Sequence, residues 1–314
     1  MLAAVLHEHG GTPVVEDFAE PVAGEGQTIL EVVAAGLNPV DLRMASGSFY
    51  GGNTAVPGVV GREGVGRATD GTGTLWYFAG AAAPWGSFAE RAPVHTAGLI
   101  PVPAEVDPAL ATAFGIAGMA AWLALDWRGE LQQGETVLVL GASGPVGLLA
   151  VQIARLLGAA RVVAAARSDS GLARAQELGA DAIVKLDGGN DLATRMRAAC
   201  NGGADVIIDP VWGAPAAAAL EATNTRGRLV QIGESAGATA NISSASVRGK
   251  LVDIRGHTNF LAPPEVRSAA FARMAQHAIS GELTLDIERV PLAEAPGAWE
   301  RQRSSPYPKL VIMP

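Results

Sequence analysis

Three glycines, at 141, 144 and 147, stand between an apolar run and a helix-patterned stretch. The segment is E-T-V-L-V-L-G-A-S-G-P-V-G-L-L-A-V-Q-I-A-R-L-L-G-A, residues 135–159. A strand that turns directly into a helix leaves backbone N–H groups unpaired at the positive end of the helix dipole. A pyrophosphate suits such a place. Gly141 allows the tight turn, Gly144 lets the backbone approach the phosphates, and Gly147 lets the helix pack close to the strand. Ala142, Ser143, Pro145 and Val146 complete the turn. The spacing G-x-x-G-x-x-G is not the commoner G-x-G-x-x-G, and glycines alone would also fit a purely structural turn. The strand before, the helix after and a second strand from residue 161 favour dinucleotide binding.

The end of that second strand selects the dinucleotide. Sites for NAD carry an acid there, which binds the ribose 2′-hydroxyl. Residues 164–170 read A-A-A-R-S-D-S, so Arg167 and Ser168 hold the tip and Asp169 comes later. A cation and a hydroxyl suit a 2′-phosphate, and the expected cofactor is NADP(H). Arg174, about two helical turns further, is a second candidate cation for the site, with simple solvation as the alternative.

Other reactive residue types are scarce. Cys200 is the single cysteine, so no intramolecular disulfide and no thiolate-rich metal site can form, and it reads as a small packing residue. The five histidines, His7, His9, His95, His257 and His277, are scattered, and no metal site is expected. A net charge of -8 without a basic stripe argues against nucleic acid as a partner. The first residues carry no positive leader, and the stretch 146–157 is interrupted by Gln152 and Arg155. No membrane partner is expected, and the expected compartment is the cytoplasm.

These residues need a scaffold, and 314 residues suggest two domains. Residues 1–115 are rich in Gly, Pro and Val, with strand-like runs at 28–35, 59–68 and 87–93. Residues 116–255 alternate strands and helices. Strands are expected at 136–140, 161–166, 182–184, 204–208, 228–232 and 251–256, with a helix at 145–157 and another ending near 178. That alternation indicates a doubly wound parallel sheet with helices on both faces, an α/β fold. The tail, 256–314, holds a helix at 264–280 and strands at 287–291 and 309–313, and is expected to rejoin the first segment.

The chain resembles the quinone oxidoreductase-like, or ζ-crystallin-like, group of zinc-independent medium-chain dehydrogenases/reductases. The matching motifs span nearly the whole sequence: A-A-G-L-N-P-V-D at 34–41, G-V-V-G-R-E-G-V-G at 58–66, G-S-F-A-E at 86–90, A-G-M-A-A at 117–121, the glycine turn, E-L-G-A-D at 177–181 and G-R-L-V-Q-I-G at 227–233. The resemblance implies a GroES-like, mostly β domain from residues 1–115 plus 256–314, with a Rossmann NADP(H)-binding domain at 116–255 inserted. Zinc-dependent relatives place ligands where this chain has Asn38 and Arg62, and near Ala113 or Gly115. An amide and a guanidinium do not make a zinc site. The chain departs from its group in a short segment between Arg67 and Gly86, and in Gly171, where relatives often carry a lysine.

The resemblance also points to site residues. Asn38 is expected beside the nicotinamide, where its amide could donate to a substrate carbonyl, although a turn cap before Pro39 would also explain it. Asp41 is expected to cap a short helix at 42–46. Phe49 and Tyr50 fall where relatives place an aromatic by the substrate, and Trp76 and Trp85 flank the shortened segment. Val211, Gly233 and Asn259 are expected near the cofactor, and Lys309 is a further candidate to reach it. The implied activity is NADPH-dependent hydride transfer to a quinone or an α,β-unsaturated carbonyl, in a homodimer. The alternatives are a non-catalytic NADPH-binding protein, structural or regulatory, and a biosynthetic tailoring reductase with a narrow substrate.

Overall fold

The computed structural model describes residues 1–189 and 191–314. The chain divides into two compact units, one of Met1–Ile116 with Phe271–Pro314 and one of Ala117–Ala270.

The second unit is built on six strands, all paired in parallel. Across the sheet they run Ala182–Lys185, Arg161–Ala166, Thr136–Leu140, Ala204–Asp209, Thr223–Gln231 and Asp253–Gly256. The central strands are near-continuous apolar runs, as a sheet covered on both faces requires. Leu138, Leu140, Val163, Ile207 and Leu229 form part of one buried cluster. Sequence order reverses between Thr136–Leu140 and Ala204–Asp209, and the crevice at the carboxyl ends beside such a reversal is where open α/β sheets take ligands.

The first unit is mostly β. A mixed sheet carries Ile287–Pro291, Lys309–Met313, Gln27–Gly36, Glu63–Ala68, Leu75–Ala79 and Ile100–Pro101 in that order, with Arg91–His95 also paired to Gln27–Gly36. Leu2–Leu6, between Val14–Asp17 and Gly58–Val59, forms a small antiparallel sheet. Leu6, Leu30, Phe78, Phe88 and Trp299 belong to the core of this unit.

Several stretches differ from the sequence reading. Residues 256–270, expected to rejoin the first segment, belong to the second unit, so the return falls within the helix Pro264–Ile279. The run 59–68 is not one strand: Gly61 has φ +99°, and a Cβ there would lie 2.4 Å from both Phe88 Cδ1 and Ser87 Oγ. The chain turns here between Gly58–Val59 and Glu63–Ala68. The strand expected from residue 87 begins at Arg91. A helical run at Pro108–Arg128 was not anticipated, and among the described residues it is the one helix long and apolar enough to cross a membrane by length and composition. Of its most apolar 18-residue window, 83% is buried inside the protein. A helix apolar on every side is what a core position needs, and it shows no amphipathic period to read.

Candidate functional site

The glycine turn lies at the carboxyl end of Thr136–Leu140 and opens the helix Pro145–Leu156. Gly141 has φ +63°, a conformation glycine reaches without strain. A Cβ on Gly147 would lie 2.4 Å from the Gly141 carbonyl oxygen and 2.5 Å from Ala142 Cα, so only glycine lets the helix come this close. Gly144 is different: a Cβ there would meet only the Gly141 oxygen, at 3.8 Å. Its missing side chain serves no internal packing and leaves the face of the turn open. Ala142 is buried and donates its N–H to Ala165 O (3.1 Å), whereas Ser143, Pro145 and Val146 are partly exposed. Pro145 starts the helix, and the N–H groups of the first turn have no acceptor within it. This geometry fits a pyrophosphate.

Arg167 is exposed at the tip of Arg161–Ala166, and Ser168 follows it. Ser168 Oγ accepts from Gly171 N (3.1 Å) and lies 2.9 Å from Ser170 Oγ, so it caps the helix Asp169–Glu177 while keeping a hydroxyl at the tip. Arg174 pairs with Glu177 (2.9 Å).

Val211 and Gly233 converge on the same turn. Val211 Cγ1 would lie 2.9 Å from a Cβ on Gly141, and a Cβ on Gly233 would lie 2.6 Å from Pro210 O. Asn259 opens a short 3-10 turn, and its Oδ1 lies 2.9 Å from His257 Nε2. His257 N in turn donates to Gln231 O (2.9 Å), two residues before Gly233. The sequence-selected cofactor residues of this unit thus gather along one edge of its sheet.

Sequence reasoning passed over Asp209, which ends the strand Ala204–Asp209 and is fully buried. Its Oδ1 accepts from Val211 N (3.0 Å) and Trp212 N (2.7 Å), fixing the loop against Gly141, while Oδ2 has no partner among the described residues. Burial pushes its carboxyl up to about 6 against those two bonds.

In the first unit the structure builds a buried polar cluster. Lys309 Nζ donates to Asn38 Oδ1 (2.8 Å), and Asn38 Nδ2 donates to Glu63 Oε1 (2.7 Å) and Gly36 O (3.1 Å). Glu63 Oε2 accepts from Ile116 N (2.6 Å) and Tyr77 OH (3.1 Å), and Lys309 Nζ lies 3.7 Å from Oε1. Glycines at 36 and 115 make room: a Cβ on either would come within 2.4 Å of a Glu63 oxygen. Burial pushes Glu63 up and Lys309 down, and the surrounding donors and the pair's own attraction oppose both shifts. Asp41, expected to open a helix at 42–46, instead stands at the third position of the helix Pro39–Ala45, whose N-cap is Asn38; it accepts from Asn38 N (2.7 Å), closing a capping box, and from Arg62 N (2.8 Å), and burial pushes it up to about 7.

These contacts revise two expectations. Both amide protons of Asn38 are donated within its own unit and the residue is buried, so the geometry offers no spare proton for a substrate carbonyl. Lys309 is likewise buried and holds Asn38, rather than reaching out toward a cofactor. Phe49 and Tyr50 lie against each other on one loop, tilted with ring centroids 4.5 Å apart, but Tyr50 is 83% exposed. Their own unit does not bring them into the buried cluster with Asn38. A cavity of about 130 Å³ in this unit is lined instead by Asp41, Asn53, Thr54, Arg62 and Trp85, among others. Trp76 packs against the core.

Comparison with known proteins agrees with this architecture. A family profile described as "Zinc-binding dehydrogenase" matches residues 145–276, a span that excludes Asn38 and Arg62. Prostaglandin reductase-3 of Mus musculus is 30% identical over 230 residues, covering 72% of this chain and 60% of that protein. A phenolphthiocerol/phthiocerol polyketide synthase polypeptide of Mycobacterium tuberculosis is 29% identical over 302 residues, covering 91% of this chain. The chain thus spans about three-fifths of the first relative and only 13% of the second. The solved quinone oxidoreductase of Thermus thermophilus, described together with its complex with NADPH, is 31% identical. The likeness covers 100% of both chains with a TM-score of 0.83.

Proposed function

The chain belongs to the quinone oxidoreductase-like family of medium-chain dehydrogenases/reductases, and on that premise we propose that it is an NADPH-dependent reductase acting without zinc on a quinone or an α,β-unsaturated carbonyl. The observation that carries the proposal is the open glycine turn with Arg167 and Ser168 at the neighbouring strand tip. The full-length likeness to a quinone oxidoreductase described with NADPH supports it.

In this reading Gly141, Ala142, Ser143, Gly144, Pro145, Val146 and Gly147 cradle the pyrophosphate, with the first-turn N–H groups of Pro145–Leu156 as donors. Arg167 and Ser168 take the 2′-phosphate. Val211 and Gly233 border the nicotinamide half, with Asn259 held beside them by His257. NADPH, when bound, supplies the hydride. Quinones and enones delocalise the charge they gain, so the acceptor needs less polarisation than a simple ketone, and water can deliver the final proton. Asn38 serves as a positioning residue that ties Lys309 and Glu63 together. Phe49 and Tyr50 offer apolar surface to the acceptor from an exposed loop.

We also propose a homodimer joined through the edge strand Asp253–Gly256, where Leu251 and Ile254 are exposed. The match to a polyketide synthase favours, as a second reading, a narrow biosynthetic acceptor. Following NADPH absorbance with a panel of quinones, enones and enals tests the proposal. Turnover with at least one class is expected. Tight NADPH binding with no oxidation by any acceptor would favour the non-catalytic alternative.

A further inference from the structure

Asp169 is an acid just past the strand tip held by Arg167 and Ser168, near where a dinucleotide's ribose would be read, and it begins the helix Asp169–Glu177. Left bare, such a carboxylate would accept from a 2′-hydroxyl and repel a 2′-phosphate. It is not bare. Lys185 ends the neighbouring parallel strand in register with Ala166, and its Nζ lies 2.5 Å from Asp169 Oδ1. Asp169 is 87% exposed and Lys185 36%, so the pair sits in water at the tip. Besides Arg167, three other features bear on which cation meets incoming charge here. Arg174 pairs with Glu177. Gly171 packs against the glycine turn so closely that a Cβ there would lie 2.2 Å from Ser143 Cβ, which bars a cationic side chain from that position. Arg195, which donates to Lys185 O, is held by Asp187 and Asp191.

We propose that Lys185 sets the cofactor preference of this protein, by covering Asp169 and by presenting its ammonium to the 2′-phosphate beside Arg167. The inference rests on the reading of this unit as an NADP(H) site and deepens it. An exposed ion pair is weak in water, so a phosphate dianion can draw Nζ away from the carboxylate. A neutral 2′-hydroxyl cannot, and finds Asp169 already occupied. Preference for NADPH over NADH then depends on a residue of the third strand as well as on the tip of the second.

The test is the dissociation constant of NADPH and of NADH, measured by fluorescence on the full-length protein with a melting curve for each variant. Lys185→Met is expected to weaken NADPH roughly tenfold, the effect of losing one charge-assisted hydrogen bond, while NADH holds or tightens. Lys185→Arg should keep the wild-type preference. Asp169→Asn should tighten NADPH, and adding it to Lys185→Met should recover part of the lost affinity. An NADPH-to-NADH ratio in folded Lys185→Met within about twofold of wild type would overturn the inference. If Lys185→Met does not fold, Asp169→Asn decides, and no tightening of NADPH overturns it. Wild-type protein that binds neither cofactor would instead strike the underlying reading, which separates the two failures.

Discussion

Asn38 joins a lysine and a glutamate with one amide, and its loss leaves both short of a partner inside the protein. Asn38→Ala is therefore expected to lower stability by about 1–3 kcal/mol, the cost of unsatisfied buried polar groups, read as a lower denaturation midpoint. A variant with wild-type stability would leave the positioning role without support. Asp209 makes a prediction about pH. Its carboxyl is pushed up from 3.8 to about 6 by burial, so the folded state holds a proton that the unfolded chain has released between those values. That contribution is present below about pH 4 and is lost as pH rises through 6. Comparing wild type with Asp209→Asn by denaturant titration should show a difference in stability that changes by roughly 2–3 kcal/mol across this window and is flat above it. A constant difference would mean that Asp209 titrates in the folded protein as it does in the unfolded chain. At this scale the sequence was only partly legible. Asn38 could be picked from a motif, but its partner Lys309 lies 271 residues away, and no local pattern encodes that contact. Asp209 looks like an ordinary strand-end acid until its second oxygen is found buried without a partner among the described residues.

The glycine turn is the element on which the nucleotide reading stands. Gly147→Ala would drive a methyl into the Gly141 carbonyl and Ala142 Cα, forcing the helix off the strand. Such overpacking typically costs about 1–3 kcal/mol, and NADPH affinity should fall with it. Gly144→Ala meets open space, so it should keep stability and lose affinity alone. Equal effects of the two substitutions on stability would contradict these separate roles. This element was readable because strand, turn and helix are contiguous and each obeys a local rule. The helical run Pro108–Arg128 was not readable for the converse reason: its burial is set by tertiary packing, and an all-round apolar helix has no period. The break at Gly61 was hidden too, since a positive φ and a close approach of Phe88 and Ser87 leave no mark on the hydrophobic pattern.

For the molecule as a whole, the strand Asp253–Gly256 ends its sheet beside exposed Leu251 and Ile254. Sedimentation at micromolar concentration should report a dimer, and Ile254→Asp should shift it toward monomer. A wild-type monomer would dismiss the proposed interface. The reaction itself is tested most directly by single turnover with NADPH deuterated at C4 and an enone or quinone acceptor found by screening. The expected result is a primary isotope effect on NADPH oxidation with deuterium delivered to the β-carbon of the enone, or, for a quinone, a slowed reduction with the label leaving C4. NADPH that binds tightly yet is never oxidised by any acceptor, with the label retained at C4, would contradict the assignment of this protein as a reductase.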